Sequence, residues 1–490
     1  MTGLRAAAAR FSLWITPALL FSLPVELLTR GSEGLWAALL VVVAPLLGFL
    51  VTTTRSDAPP HPAFAYPLLL LGAALLWANL LLAGDVARWL GFSRAIGILV
   101  ASASAVVLTA SDAGRRRGLA LAAAALLAVF LPLGVVSARA GRLPLEAWSH
   151  AASLPAFRFS ATSPWVTEGR PVVLSPGTDA LVFEDEHRVT SVDAGPLRIL
   201  VNDAGRARVQ EWKLAANQSV TLRPGDGLLI EPGQRLRFEA NKRIPGAPAS
   251  GVSWADPPRL SPGPELLSVV GLGLTMIGGA AALLSSGGVG PISRATAVLA
   301  GIGYLLVLAW AQGWATYTLT LAPDLFLGGV TAEKLVELPA LAFAGDLWGR
   351  GLDGVLLLGG FLALLASVTA LRDLLARGGV GGDWGLWGGI LAAALLAALW
   401  PEDPWRGLLI AFGLGASTLA PVIWAGSSPE PPWAIGLALG AGVFIFLALT
   451  VAGELLAVEG TWGRIILSYP ALAAAPATAV ILRLGGRVAG

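Results

Sequence analysis

ARVQEWKLAANQSVTLRPGDGLLIEPGQRLRFEA, residues 207–240, is the stretch that decides how this chain is divided. Val220 and Leu222 flank Thr221, and Leu236 and Phe238 flank Arg237, the two-residue period of a half-buried strand. Turn chemistry at RPGD (223–226) and EPGQ (231–234) separates the strand runs. The same grammar extends upstream through PVVLSPG (171–177), DALVFEDEHRVTSV (179–192) and PLRILVNDAG (196–205), with turns at SPGTD and NDAG. Short strands with turns at this spacing predict a small all-β unit, a sandwich or a jelly-roll-like barrel.

Outward from this unit the composition changes. Pro-rich flanks at 143–155 and 244–264 read as linkers, and beyond them lie apolar segments of membrane length. A bilayer core needs about 20 apolar residues per helix. Candidate spans are 11–28, 35–52, 65–84, 92–110, 118–136, 264–284, 296–320, 352–370, 386–400, 407–425, 433–453 and 465–482, five before the β-unit and seven after it. The predicted fold is a polytopic α-helical membrane protein of about 12 spans with an inserted extracytoplasmic all-β domain: 1–143 membrane, 144–262 β-domain with its linkers, 263–490 membrane. The first span follows Arg5 and Arg10 and has no small-residue cleavage site behind it, so it reads as a retained helix.

Charge placement orients the chain. The positive-inside rule puts Arg5, Arg10, Arg55, Arg115–Arg117, Arg294, Arg372, Arg377, Arg483 and Arg487 in the cytoplasm, with both termini. Single arginines (Arg30, Arg88, Arg139, Arg142, Arg350, Arg406, Arg464) fall on the other side against the rule. The β-domain is then external, periplasmic if the cell has two membranes. Thirty Arg against three Lys suggest a GC-rich bacterial genome, which makes the inner (plasma) membrane the expected location.

Composition also excludes chemistry. Mean hydropathy is +0.72, with 55% hydrophobic and 13% charged residues, outside the soluble range. Residues 144–262 carry 13 acidic and 13 basic residues, a neutral module with no basic face for nucleic acid. With no cysteine, disulfides, thiolate catalysis and Cys-based metal sites are excluded. Three scattered histidines (His61, His150, His187) leave no metal centre or cofactor site expected.

Val220–Phe238 resembles the strand–turn–strand element of cupin-type jelly rolls, in which a Gly-Asp turn feeds a strand that ends in a Pro-Gly turn just before a metal-binding histidine. Gly225-Asp226 and Pro232-Gly233 match the two turns. The family's histidine position falls at or next to Leu236, and the upstream paired-histidine motif is missing. The resemblance covers about 20 residues; it implies the fold of one domain and argues against a metal in it.

Few polar groups stand out. Glu184-Asp185-Glu186-His187 is the one acidic–His cluster, and on a strand Asp185 and His187 would share a face, too few ligands for a closed metal site. Glu26, Arg94, Glu454 and Arg483 lie near span ends, where snorkelling explains them. Asn79 and Gln312 sit deeper, the latter in Trp310-Ala-Gln-Gly-Trp-Ala-Thr-Tyr-Thr-Leu-Thr320. Gln312, Thr316, Thr318 and Thr320 could line a polar path, or make ordinary helix–helix hydrogen bonds. Gly436 and Gly440 have the small-xxx-small spacing of close helix contacts. Residues 325–351, interrupted by Glu333, Lys334, Glu337 and Asp346, suit an interfacial helix or a loop with one short helix.

No motif names a reaction. The reading is an integral membrane scaffold or accessory subunit whose external β-domain contacts a membrane or periplasmic protein, the bilayer being its other partner. A transporter and a transferase acting on a lipid-linked substrate are the alternatives. The transferase would draw on Glu33, Asp85, Asp324 and Asp353.

Overall fold

The computed structural model describes the chain apart from residues 1, 54–61, 111, 160–180, 204–205, 230–233, 246, 257–262, 286–293, 327–331, 333, 344–345, 378, 380–381, 426–430, 457–459 and 490. Among the described residues, seven helices are long and apolar enough to cross a membrane, and nine spans result if each of two bent pairs is counted as one. The bent pairs are Ala8–Trp14 with Pro17–Arg30, at 52°, and Thr461–Ser468 with Ala471–Gly485, at 68°. Three further apolar helices, Ser32–Leu47, Arg94–Ala110 and Asp383–Leu399, are shorter.

Proline positions explain much of how this bundle is tied. A proline inside a helix has no N–H, so the carbonyl four residues earlier loses its partner. In an apolar interior that carbonyl must be satisfied from elsewhere. Val41 precedes Pro45 by four, and the indole Nε1 of Trp14 donates to Val41 O at 2.8 Å. Leu335 lies in the 3₁₀ turn Lys334–Glu337 just ahead of the short helix Leu338–Ala342, and Trp314 Nε1 donates to Leu335 O at 3.1 Å. Ser417 precedes Pro421 by four, and Thr478 Oγ1 donates to Ser417 O at 2.7 Å. At this last contact Gly442 is required, because a Cβ there would stand 2.6 Å from the same carbonyl. Each vacancy is thus a docking point for a different helix.

The first bent pair runs through the centre of the bundle, and Pro17–Pro24 is buried on all sides. Trp14 stacks on Phe412 at 4.6 Å and Phe21 meets Trp310 edge-on at 6.0 Å. The helices Asp112–Ala140 and Leu347–Arg377 pack antiparallel. Gly118 faces Thr369, and Gly359 faces Val129. This register sets Arg372 level with Arg115, so these two markers share one end of the bundle.

The β-unit has seven described strands: β1 (Leu181–Val182), β2 (His187–Ser191), β3 (Gly195–Asp203), β4 (Arg206–Leu214), β5 (Ser219–Leu222), β6 (Gly227–Leu229) and β7 (Leu236–Phe238). They form two antiparallel sheets, ordered β1-β6-β3-β4 and β5-β2-β7. The alternations at 220–222 and 236–238 hold, with Thr221 and Arg237 exposed between buried neighbours. The chain changes sheet at the RPGD turn, where Gly225 has φ +90° and Asp226 Oδ2 accepts from Arg223 N at 2.8 Å. The PVVLSPG run and Glu231–Gly233, with the second cupin-like turn, lie outside the described residues.

Two sequence readings are corrected and one is resolved. The acidic–His run is not one strand, because β1 and β2 belong to different sheets and 183–186 is the crossing between them. Of the two readings of 325–351, the described residues fit the loop with one short helix and not a single interfacial helix. Leu335, Val336 and Leu338 are fully buried in the bundle, where Trp314 hydrogen-bonds Leu335 O, and one short helix, Leu338–Ala342, follows. Gly436 and Gly440 face open space; the contact face of their helix carries Ala434, Ala438 and Gly442 instead.

Trp14→Phe leaves Val41 O without a donor and should cost about 1–3 kcal/mol. Pro45→Ala restores an N–H four residues on, so in that background Trp14→Phe should cost measurably less; equal costs in a double-mutant cycle by thermal unfolding in detergent would refute the assignment. In the β-unit, Arg235 grips Asp193 through two bonds of 2.7 and 2.5 Å and holds its carboxyl below the ordinary 3.8. The pair therefore stabilises above the ordinary carboxylate pKa, and its contribution is lost as pH falls through the lower folded value. Carboxyl NMR of Asp193 should show this depression, and Arg235→Ala should abolish it.

Candidate functional site

The two ends of the β-unit do not hang on free linkers. Residues Pro144–Ala152 and Gly251–Ala255 are helices that pack together as a stem. Gly251 N donates to Leu154 O at 2.8 Å, and the rings of Trp148 and Trp254 lie 4.4 Å apart. Beyond the stem the two chain ends continue side by side, with Phe159 N on Lys242 O at 2.9 Å and Ile244 N on Phe157 O at 3.0 Å. This corrects the linker reading of the Pro-rich flanks. A tryptophan in each flank was the signal, because a free linker has no use for a large apolar ring.

The stem is fastened to the bundle at two places. Trp254 is buried and donates its indole N–H to Leu28 O at 3.1 Å, one of the carbonyls left unpaired at a helix end. The chain turns at Gly31 with φ +56°, and a Cβ there would lie 2.0 Å from Trp254 O. Ser32 Oγ donates to Asp256 O beside it. On the other side Pro144–Ala152 packs along the helix Arg294–Leu321. Tyr317 completes this contact, its hydroxyl 2.6 Å from Arg142 O and 2.9 Å from Ser137 Oγ.

The polar positions of the Trp310–Thr320 segment are used locally. Thr316, Thr318 and Thr320 each donate to the carbonyl four residues back, at 2.9, 2.8 and 2.9 Å. Trp310 Nε1 donates to Val129 O at 3.2 Å. Gln312 is half-buried on the same helix. Asn79 acts elsewhere, at the break of the first bent pair. Its Nδ2 donates to Leu75 O at 2.8 Å and its Oδ1 accepts from Ala18 N at 3.0 Å. Thr16 Oγ1 caps Leu19 N at 3.4 Å, and Ser367 Oγ donates to Ser12 O at 2.7 Å. Backbone groups freed by the break are thus taken by side chains, and the void beside it, about 10 Å³, has room for about one water.

The acidic–His residues separate. Glu184, Asp185 and Glu186 are exposed, whereas His187 is buried with Nδ1 2.9 Å from Asp185 O and Nε2 2.6 Å from Arg243 O. Both ring nitrogens face main-chain carbonyls, so no lone pair is directed at a metal. His187 instead ties β2 to the paired chain ends beyond the stem, with Glu184 pairing to Arg243 alongside. Among the described residues no three His, Asp or Glu groups gather as metal ligands.

Of the carboxylates considered for transfer chemistry, Asp85 lies between Arg88 and Arg94 at 3.4 and 3.7 Å. Asp353 accepts from Ala340 N at 3.1 Å, and Glu33 is exposed. The side chain of Asp324 lies outside the described residues. Asp85 and Asp353 each hold a neighbouring element in place.

β4 lies at the edge of its sheet, paired with β3 alone among the described strands, with Val209 47% and Trp212 42% exposed. Trp212 pairs across the sheet with Leu197 and shares its face, yet Leu197 is buried. The apolar face therefore continues past the covered core onto this edge. Sequence reasoning missed Trp212, whose place on an edge strand depends on strand order.

Comparison with protein-family models and with curated protein sequences finds no match.

The stem geometry makes Gly31 sensitive. Gly31→Ala forces a left-handed backbone and a clash with Trp254 O, and should cost about 1 kcal/mol or more. The expected readout is a lowered unfolding temperature in detergent together with faster proteolysis around 250–256; unchanged values for both would refute the docking.

Proposed function

We propose that this chain is a multi-pass protein of the bacterial inner membrane that holds an extracytoplasmic β-domain rigidly for contact with a protein partner, as a scaffold or accessory subunit of an envelope or membrane complex. The observation that carries this reading is the fastened stem. Trp254 on Leu28 O and Tyr317 on Arg142 O fix both ends of the insertion to the bundle, which a tethered or autonomous domain would not need. The β4 edge supports a protein partner. Among the described residues it is paired on one side only, with Trp212 exposed on one face and Val209 on the other, the chemistry that accepts an added strand.

In this reading the twelve apolar segments each cross once, the three shorter helices and the two bent pairs included. Arg115–Arg117 and Arg372 then face the cytoplasm with both termini, and the stem faces out. The β-domain is taken as a two-sheet sandwich of jelly-roll type, in keeping with the cupin-like 220–238 element. A transporter is the second reading, and the bent pairs favour it, because interrupted helices form the substrate sites of many transporters. At the first bend, though, the freed groups are bound by Asn79, Thr16 and Ser367.

The test uses the full chain. A reporter fused at 117 should be active only as a cytoplasmic reporter and one fused near 205 only as an external one. Trp212→Ala with Val209→Ser should leave insertion and unfolding temperature unchanged while removing a stoichiometric partner that co-purifies in mild detergent. Reversed reporters would refute the orientation, and a partner retained by the double variant would refute this use of the edge.

A further inference from the structure

We propose that β4 takes up an acidic strand, an extended segment of a protein partner with carboxylates opposite Arg208 and Lys213 and apolar side chains opposite Trp212 and Val209. It rests on the use of β4 as a docking edge and names the partner's chemistry. The two-residue period splits the edge into two faces. Arg208, Gln210 and Trp212 lie on one, and Val209, Glu211 and Lys213 on the other. Each face therefore carries one exposed apolar side chain and one exposed cation. On the inner side β3 answers the apolar members, with Leu197 opposite Trp212 and Leu200 opposite Val209. It offers no anion to the cations, since Arg208 stands opposite Val201 and Lys213 opposite Pro196. Glu211 stands opposite Arg198, a cross-strand pair of opposite charge. Among the described side chains of β3 and β4, Arg198, Arg208 and Lys213 thus outnumber Glu211, a net charge of +2. Arg235 and Asp193 nearby pair with each other and add nothing to it.

Main-chain pairing at a sheet edge gives affinity with little choice of sequence, and the side chains on either face select the strand. Cations on an edge ordinarily hinder pairing. A basic strand laid on β4 would set like charges opposite each other, and an apolar one would cover Arg208 and Lys213 without an anion. A carboxylate opposite each turns the same two side chains from a barrier into a selector. Trp212 supplies the large apolar anchor, its indole N–H donating to Gln210 Oε1 at 3.3 Å on the same face. All described strand pairs are antiparallel. Continued in that sense from Lys213 back to Arg208, the added strand reads acidic, apolar, polar, polar, apolar, acidic. A second copy of β4 would bring the same excess of positive charge and is the poorer complement.

The probes are two peptides with blocked ends, Glu-Ile-Thr-Thr-Val-Glu and Lys-Ile-Thr-Thr-Val-Lys, labelled and titrated onto the full chain in neutral detergent by fluorescence anisotropy. Each reads nearly the same in either direction, so strand polarity does not decide the result. The acidic peptide should bind about tenfold more tightly at low salt, the scale of two cross-strand charge pairs changing sign. Molar salt should shrink that difference. Arg208→Glu with Lys213→Glu, at two exposed positions, should invert the preference and leave the unfolding temperature unchanged. Trp212→Ala with Val209→Ser should weaken both peptides. Equal binding of the two peptides, lost in the Trp212 and Val209 variant, would overturn the acidic partner and leave the edge reading standing. A preference unmoved by the charge reversal would also overturn it. Failure of either peptide to bind would overturn both readings. A dimer in detergent that dissociates in the Trp212 and Val209 variant would overturn the proposal in favour of a second copy.

Discussion

Main-chain groups left without partners inside an apolar bundle are the constraint on which this structure depends. Water cannot reach them, so each must be met by a side chain from another element. Trp14 on Val41 O and Thr478 on Ser417 O answer carbonyls freed by a proline four residues on, and Trp314 on Leu335 O answers one in a 3₁₀ turn. Trp254 on Leu28 O answers a helix end in the same way. Apolar packing alone would leave helices free to slide, because Leu against Leu differs little from Leu against lipid. A carbonyl with one vacant direction fixes both partner and height.

The placement of the β-domain follows from the same rule. An insertion between two spans must return its chain to nearly the point where it left. The stem does so by packing Pro144–Ala152 against Gly251–Ala255, and the bundle holds it through Trp254 and Tyr317. His187 carries the tie one layer further, from the paired chain ends at Arg243 into β2. His187, which looked like a candidate for chemistry, is thus the last link in a chain of structural contacts from the bundle to the sheets. Among the described strands β4 is an edge that exposes Val209 and Trp212, and the proposed binding role rests on it.

Much of this was legible in the sequence, and the reasons are specific. The alternation at 220–222 and 236–238 has the period of a half-buried strand, and the burial follows it residue by residue. Each of the twelve apolar runs corresponds to a helix, a bent pair or a shorter helix, because apolar length is a local property. Asn79 and the threonines were recognisable as polar groups in apolar helices. Their roles were not, because a hydroxyl that bonds its own helix and an amide that caps another have the same sequence signature.

Sequence by itself determined the membrane-length helices, the inserted β-unit and the exclusion of cysteine chemistry, since these rest on composition and on periods of a few residues. Tertiary structure decided the rest. That Trp14 meets the vacancy made by Pro45, that β1 and β2 part into different sheets, that Gly442 rather than Gly436 makes the close contact, and that Arg372 stands level with Arg115 all depend on which elements become neighbours. A proline announces which carbonyl it frees, four residues back. It carries no information about which distant side chain fills that vacancy, because the choice is made by packing among helices far apart in the chain.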